Sequence, residues 1–195
     1  VKKIFSLMLL FLVACSAELN VSESDSAANV PPEPPQLGVN EKEDCNQKTI
    51  GSKVCNFFLI DQNGEYWELY KHKGKIIILD FSTVWCYPCQ MAAAHTQSIQ
   101  DQYADDVVFV TLLIEGMDRF PATEDDVNMW VNSYGITSAP VLQASREYVM
   151  DQAGITGYLV GGYPTYVYLD RDLTINNAHT GFNEEYINSI LNGLL

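Results

Sequence analysis

The chain predicts an α/β domain preceded by a non-globular leader. Two observations carry that expectation. Apolar strand-like runs alternate with segments of helical composition from about residue 54 to the C-terminus. Within that region Ile76-Ile77-Ile78-Leu79-Asp80-Phe81 is nearly continuously apolar and branched, the signature of a central strand buried on both faces. With 195 residues, 47% of them apolar, the chain can build one ordinary core plus appendages. Its net charge of -14 argues against a nucleic-acid partner, because no basic patch exists to release counterions.

The leader comes first. Lys2 and Lys3 form a positive start, and Ile4 to Val13 form an apolar run too short to span a bilayer. Leu12-Val13-Ala14-Cys15 is similar to the lipobox of bacterial lipoproteins, which implies removal of 1–14 and acylation of Cys15. Several acyl chains would anchor the protein to a membrane, inner or outer being left open. Residues 15–44 are polar, acidic and Pro-rich, with Pro31-Pro32-Glu33-Pro34-Pro35 at their centre, and are expected to be a disordered tether.

Residues 45–195 are expected to be the folded domain. Phe57-Phe58-Leu59-Ile60, the turn Gln62-Asn63-Gly64 and Tyr66-Trp67-Glu68-Leu69 predict a hairpin. The buried strand 76–81 follows Gly74-Lys75. A helix is predicted over Gln90–Tyr103, which lacks Gly and Pro, and a second buried strand over Val107–Ile114. Thr123 with Glu124-Asp125-Asp126 predicts an N-cap and a helix reaching Gly135, and a short helix is expected near Ser145–Asp151. Thr165–Leu169 and Leu173–His179 read as paired strands about Asp170-Arg171-Asp172. Asn183 caps a last helix bearing Ile187, Ile190, Leu191 and Leu194 on one side.

The chemistry lies in Trp85-Cys86-Tyr87-Pro88-Cys89, placed where the buried strand meets a helix N-terminus. Two cysteines at this spacing can ligate metal, lock a turn or exchange electrons. A zinc site needs a second such pair or paired histidines, whereas His72, His95 and His179 are scattered and read as surface histidines; no metal and no cofactor are expected. A redox dithiol fits better. A thiolate at a helix N-terminus is stabilised by the partial positive charge and free N–H groups there, which marks Cys86 as the exposed nucleophile. Cys89, one turn inward, is suited to resolve a mixed disulfide. Pro88 suits the first helical turn, where its missing N–H is not needed. Excluding Cys15, four cysteines remain and allow three pairings; if 86 pairs with 89, Cys45 and Cys55 are left.

Strand, Trp-Cys-x-x-Cys and helix resemble the thioredoxin superfamily. The resemblance spans roughly residues 54–195 and implies a mixed central sheet flanked by helices. Asp80, six residues before Cys86, matches that family's buried carboxylate, which implies a pKa raised by burial and a part in carrying the proton of the resolving cysteine. Gly162-Tyr163-Pro164-Thr165 looks like the family's cis-proline loop, and Gly181 resembles its close-approach glycine. The resemblance therefore implies partner contacts at Trp85, Tyr87, Pro88, Tyr163, Pro164 and Thr165. The N-terminal hairpin, Gly74-Lys75 and a central helical insertion within 115–160 look like the membrane-anchored TlpA/ResA-type branch of redoxins. One job of that branch is reduction of apocytochrome thiols.

Two departures stand out: the dipeptide is Tyr87-Pro88 where thioredoxin has Gly-Pro, and Gln90–Ala94 lacks the glutamate common in the anchored branch. The resemblance implies a monomeric thiol-disulfide oxidoreductase of the bacterial envelope, facing the periplasm. Its partners would be protein thiols or disulfides and an upstream electron donor or acceptor. Cys45–Cys55 is expected to be a structural disulfide, with an electron relay as the alternative. Thr83-Val84-Trp85-Cys86 also matches the Thr-x-x-Cys of peroxiredoxins, although Leu79 stands where that family has Pro. A non-enzymatic binding module is the third class considered.

Overall fold

The structure is a computed structural model that describes residues 45–148, 157–158 and 160–195. The expected leader, Cys15 and tether lie outside the described residues, as does Asp151. Among the described residues no helix is long and apolar enough to cross a membrane.

A short antiparallel hairpin opens the domain: β1 (Phe58–Ile60) pairs with β2 (Tyr66–Glu68). Its turn is held by Asp61, whose Oδ1 accepts the N–H groups of Asn63 and Glu65. Leu69–His72 then winds into a 3-10 turn, so the strand expected to include Leu69 stops at Glu68.

The main sheet has five strands. Its centre is β3 (Ile76–Ser82), all seven residues of which are buried. Burying each of its Ile and Leu side chains stabilises the fold by roughly 1.5–3 kcal/mol. On one side β4 (Val107–Leu113) and β5 (Val141–Gln143) run parallel to it; on the other β6 (Thr165–Leu169) is antiparallel to β3, and edge strand β7 (Ile175–Thr180) is antiparallel to β6. The expected mixed sheet is present.

Strand alternation sorts the core into two faces. Ile76 and Ile78 meet Ile99 of α1 (Tyr87–Gln102) and Ile187 and Leu191 of α3 (Glu184–Leu194). Leu113 and Val141 meet Val127 and Trp130 of α2 (Glu124–Tyr134). Ile77, Leu79 and Phe81 point the other way, to Trp67 of the hairpin and to Tyr158. α2 begins with a complete capping box, in which Thr123 and Asp126 each take the other's backbone N–H. It ends at Gly135 in the left-handed conformation (φ 62°).

Two expectations are corrected here. The stretch near Ser145–Asp151 is a single 3-10 turn, Arg146–Tyr148, as far as residue 148. Before it, Val141–Gln143 forms edge strand β5, which three residues after a proline were too few to announce. It forms because β4 offers a free edge: Thr111, Leu112 and Leu113 pair with Val141, Leu142 and Gln143. His179 is also unlike a surface histidine. Its ring is stacked on Tyr166 and Tyr168 and edged by Tyr186, and both ring nitrogens are buried. Burial lowers its pKa.

Candidate active site

The site lies at the end of β3, where the chain turns through Thr83–Trp85 into α1. Cys86 is the N-cap of α1 and its sulfur accepts the backbone N–H of Cys89 at 3.2 Å. Pro88 occupies the first turn. The helix thus begins on the motif itself, three residues earlier than the composition of Gln90–Tyr103 predicted. Cys86 and Cys89 are joined as a disulfide, and Cys45–Cys55 form a second one.

Cys89 is fully buried, and Cys86 is only 5% exposed. Cys86, the expected nucleophile, is the more open of the two, but less exposed than expected. The reason is the loop facing it: Cys86 Sγ lies 3.4 Å from the carbonyl oxygen of Tyr163. The Tyr163–Pro164 bond is cis. This loop is held from behind, since the Thr165 hydroxyl donates to the Gly162 carbonyl at 2.7 Å and lies 2.8 Å from the Thr180 hydroxyl. Gly181 (φ 91°) donates its N–H to the Pro164 carbonyl at 2.8 Å. Thr165 is buried and supports the loop, whereas Tyr87 and Pro88 are exposed beside the dithiol.

Asp80 sits below. It alternates with Ile78 and Ser82 on the face covered by α1, the helix that turns Cys89 inward. Its two oxygens accept hydrogen bonds from the Ser82 hydroxyl (2.8 Å) and the Thr111 hydroxyl (3.3 Å). Burial raises its pKa from 3.8 to about 7, and the two hydroxyl donors offset this in part. No cation is paired with it among the described residues. A carboxyl so placed can hold or release a proton near neutral pH.

Glu115 was not singled out from sequence. It follows β4 and is 1% exposed. Its Oε2 accepts the Trp85 indole N–H at 2.6 Å, and its Oε1 meets the Arg146 guanidinium. Its backbone carbonyl takes the Val84 N–H at 2.8 Å. One acidic residue therefore binds the motif, the end of β4 and the segment after β5. A sequence signal for it existed: an acidic residue at the C-terminal end of a strand parallel to the motif strand lies where sites form in such sheets. Arg146 carried no comparable signal.

The face of the Trp85 indole meets Arg119, whose guanidinium carbon lies 4.2 Å from the ring centroid, and the Tyr163 ring stands nearly perpendicular to the indole, centroids 6.0 Å apart. The loop carrying Arg119 is tight. Glu115 bridges Pro121, Gly116 accepts from Arg119 and donates to Phe120, and Arg119 has φ 67°. A side chain on Gly116 would strike the Asp126 carboxylate at 2.7 Å, so glycine lets this loop close onto the start of α2.

The Cys45–Cys55 disulfide is elsewhere. Its loop bridges through Lys53 to Thr174, at the turn between β6 and β7, while Pro164 lies at the opposite end of β6. The length of β6 separates the two pairs by roughly 15 Å, at about 3.3 Å per residue.

Comparison with known proteins agrees with this geometry. Residues 58–153 match the thioredoxin family model. The thioredoxin-like protein YneN of Bacillus subtilis is 30% identical over 132 residues, covering 67% of this chain and 71% of that protein. The chain belongs to the thioredoxin family. Within it, the thiol-disulfide oxidoreductase ResA of Bacillus subtilis is 27% identical over 143 residues, 73% of this chain and 74% of that one. Among solved structures, the pneumococcal exposed lipoprotein thioredoxin of Streptococcus pneumoniae superposes with a TM-score of 0.57 at 26% identity, covering 72% of this chain and 98% of that one. This thioredoxin-family chain is thus a homologue of thiol-disulfide oxidoreductases, with Cys86–Cys89 as its Cys-x-x-Cys pair.

Proposed function

We propose that Cys86 and Cys89 exchange electrons with protein disulfides in the bacterial envelope, from a membrane anchor at Cys15. The observation that carries the chemical part is the disulfide at the start of α1. There one sulfur accepts a helix N-terminal N–H and lies against the carbonyl of the Tyr163–Pro164 loop. In the reducing direction the Cys86 thiolate attacks a partner disulfide, forming a mixed disulfide and releasing one partner thiol. The Cys89 thiolate then attacks Cys86 Sγ; the second partner thiol leaves and the 86–89 disulfide closes, two electrons having passed to the partner. Asp80 takes the proton from Cys89 before that second attack. An upstream dithiol returns the pair to its reduced form, and the reverse sequence oxidises a partner instead.

The envelope location is supported by the residues of the leader and by relatives of the pneumococcal exposed-lipoprotein kind. Reduction of apocytochrome thiols is one task that fits such an address. Trp85, Tyr87, Pro88, Tyr163 and Pro164 surround the dithiol and would contact the partner. The Cys45–Cys55 disulfide is assigned a structural role, supported by its place at the far end of β6.

Insulin reduction with dithiothreitol as electron source tests the reading. Cys86→Ser should abolish turnover, and Cys89→Ser should accumulate mixed disulfides. Full activity in Cys86→Ser would overturn the choice of nucleophile. Peroxide turnover that survives loss of Cys89 would favour the peroxidase alternative. The reduction potential of the pair sets its direction: a value near about -270 mV marks a reductant, one near about -120 mV an oxidant.

A further inference from the structure

The basic residues of this acidic chain are unevenly placed. Lys71, Lys73, Lys75 and Arg171 gather where β3 begins and β6 turns into β7, the end of the sheet away from the dithiol. At the dithiol end the described residues hold Arg119 and Arg146. Arg146 is committed to Glu115. Arg119 makes no ion pair among the described residues and is exposed. Its neighbour Asp118 has one carboxylate oxygen turned back onto the Phe120 N–H.

The Arg119 side chain is nonetheless held. Its guanidinium lies on the face of Trp85, whose indole N–H is fixed by Glu115. A cation on an aromatic face keeps its outward N–H donors free for a second partner. Turn chemistry does not call for arginine here: φ 67° is a conformation that glycine or asparagine adopts with less strain. Met117 and Phe120, 64% and 69% exposed on the same loop, add apolar surface to either side.

We infer that Arg119 is a specificity-determining residue that binds a carboxylate side chain of the partner protein, one or two residues from the partner's reactive cysteine. Trp85 directly precedes the nucleophile, so a guanidinium on its ring is within reach of a partner residue close to the attacked sulfur. Successive Cα atoms are about 3.8 Å apart, which limits the reach to the first neighbours of that cysteine. Away from this rim the chain's charge of -14 repels an acidic segment, so a preference for acid must come from this local contact. The inference rests on the oxidoreductase reading and names its substrate class.

The test uses disulfide-linked peptide homodimers carrying Glu, Gln or Lys at the two positions on either side of a single cysteine. Reduction is followed with dithiothreitol as electron source, at about 0.15 M ionic strength, where charges beyond about 8 Å are screened. For the wild type, kcat/KM for the Glu peptide should exceed that for the Lys peptide by about three- to fivefold, the range of an exposed charge pair. Arg119→Gly, which suits the backbone at this position, should bring the ratio to about one. Arg119→Lys should keep part of it. An unchanged ratio in Arg119→Gly, or a wild type that does not favour Glu, overturns the inference and leaves the oxidoreductase reading standing. If the wild type fails to turn over even the Gln peptide, the oxidoreductase reading falls and the inference with it.

Discussion

Asp80→Asn isolates the effect of one buried carboxyl on both stability and turnover. In the folded protein burial holds the Asp80 pKa at about 7, against 3.8 when unburied. Between those values the folded state keeps a proton that the unfolded state has lost. Stability therefore falls as pH rises through that window, and the loss is complete above the folded pKa. Each tenfold difference in proton affinity is worth about 1.4 kcal/mol, so the rise from 3.8 to about 7 amounts to a penalty on the order of 4 kcal/mol at alkaline pH. The Ser82 and Thr111 hydroxyls that donate to Asp80 can rotate to accept from an asparagine N–H, so the substitution leaves no partner stranded. Urea unfolding of the oxidised protein at pH 5, 7 and 8.5 provides the assay. Wild-type stability should drop across the series while Asp80→Asn stays nearly level, ending a few kcal/mol more stable at pH 8.5. Stopped-flow resolution of the mixed disulfide should also slow in Asp80→Asn and lose its pH dependence near 7, with Cys86 alkylation changing little. Parallel stability curves for the two proteins would refute the pKa argument, and identical resolution profiles would remove Asp80 from proton transfer.

Other perturbations separate the remaining parts. Cys45→Ser/Cys55→Ser should cost about 2–3 kcal/mol through loop-closure entropy, seen as a melting temperature lower by roughly 5–10 °C, with the 86–89 potential unmoved. A shift in that potential, or peptide maps linking 45 or 55 to 86, would favour an electron relay instead. Glu115→Ala leaves the Trp85 N–H without its acceptor, so the urea midpoint should fall by the equivalent of roughly 1–3 kcal/mol, with a changed tryptophan emission. Wild-type emission and stability in that variant would mean that Glu115 does not fix the indole.

How much of this was legible in the chain follows from the range of the interactions involved. β3, α1, β4, α2, β6 and α3 could be read because each is written locally: a branched apolar run, a capping box, a face of apolar residues at helical spacing. The Trp-Cys-x-x-Cys pair was legible for the same reason, since strand, motif and helix N-terminus are contiguous. The cis Tyr163–Pro164 bond facing Cys86 was legible through resemblance, not through any local energetic signal. Strand β5 was not legible, because three residues acquire extended structure only when the free edge of β4 is there to pair with them. Nor was the clamp on Trp85. Glu115, Arg119 and Arg146 lie about thirty to sixty residues along the chain from it, and no spacing rule connects them. For Asp80 the direction of the pKa shift was legible through resemblance, but its size, a rise to about 7, was not. That value comes from desolvation, a property of packing that exists only once the core has closed around the central strand.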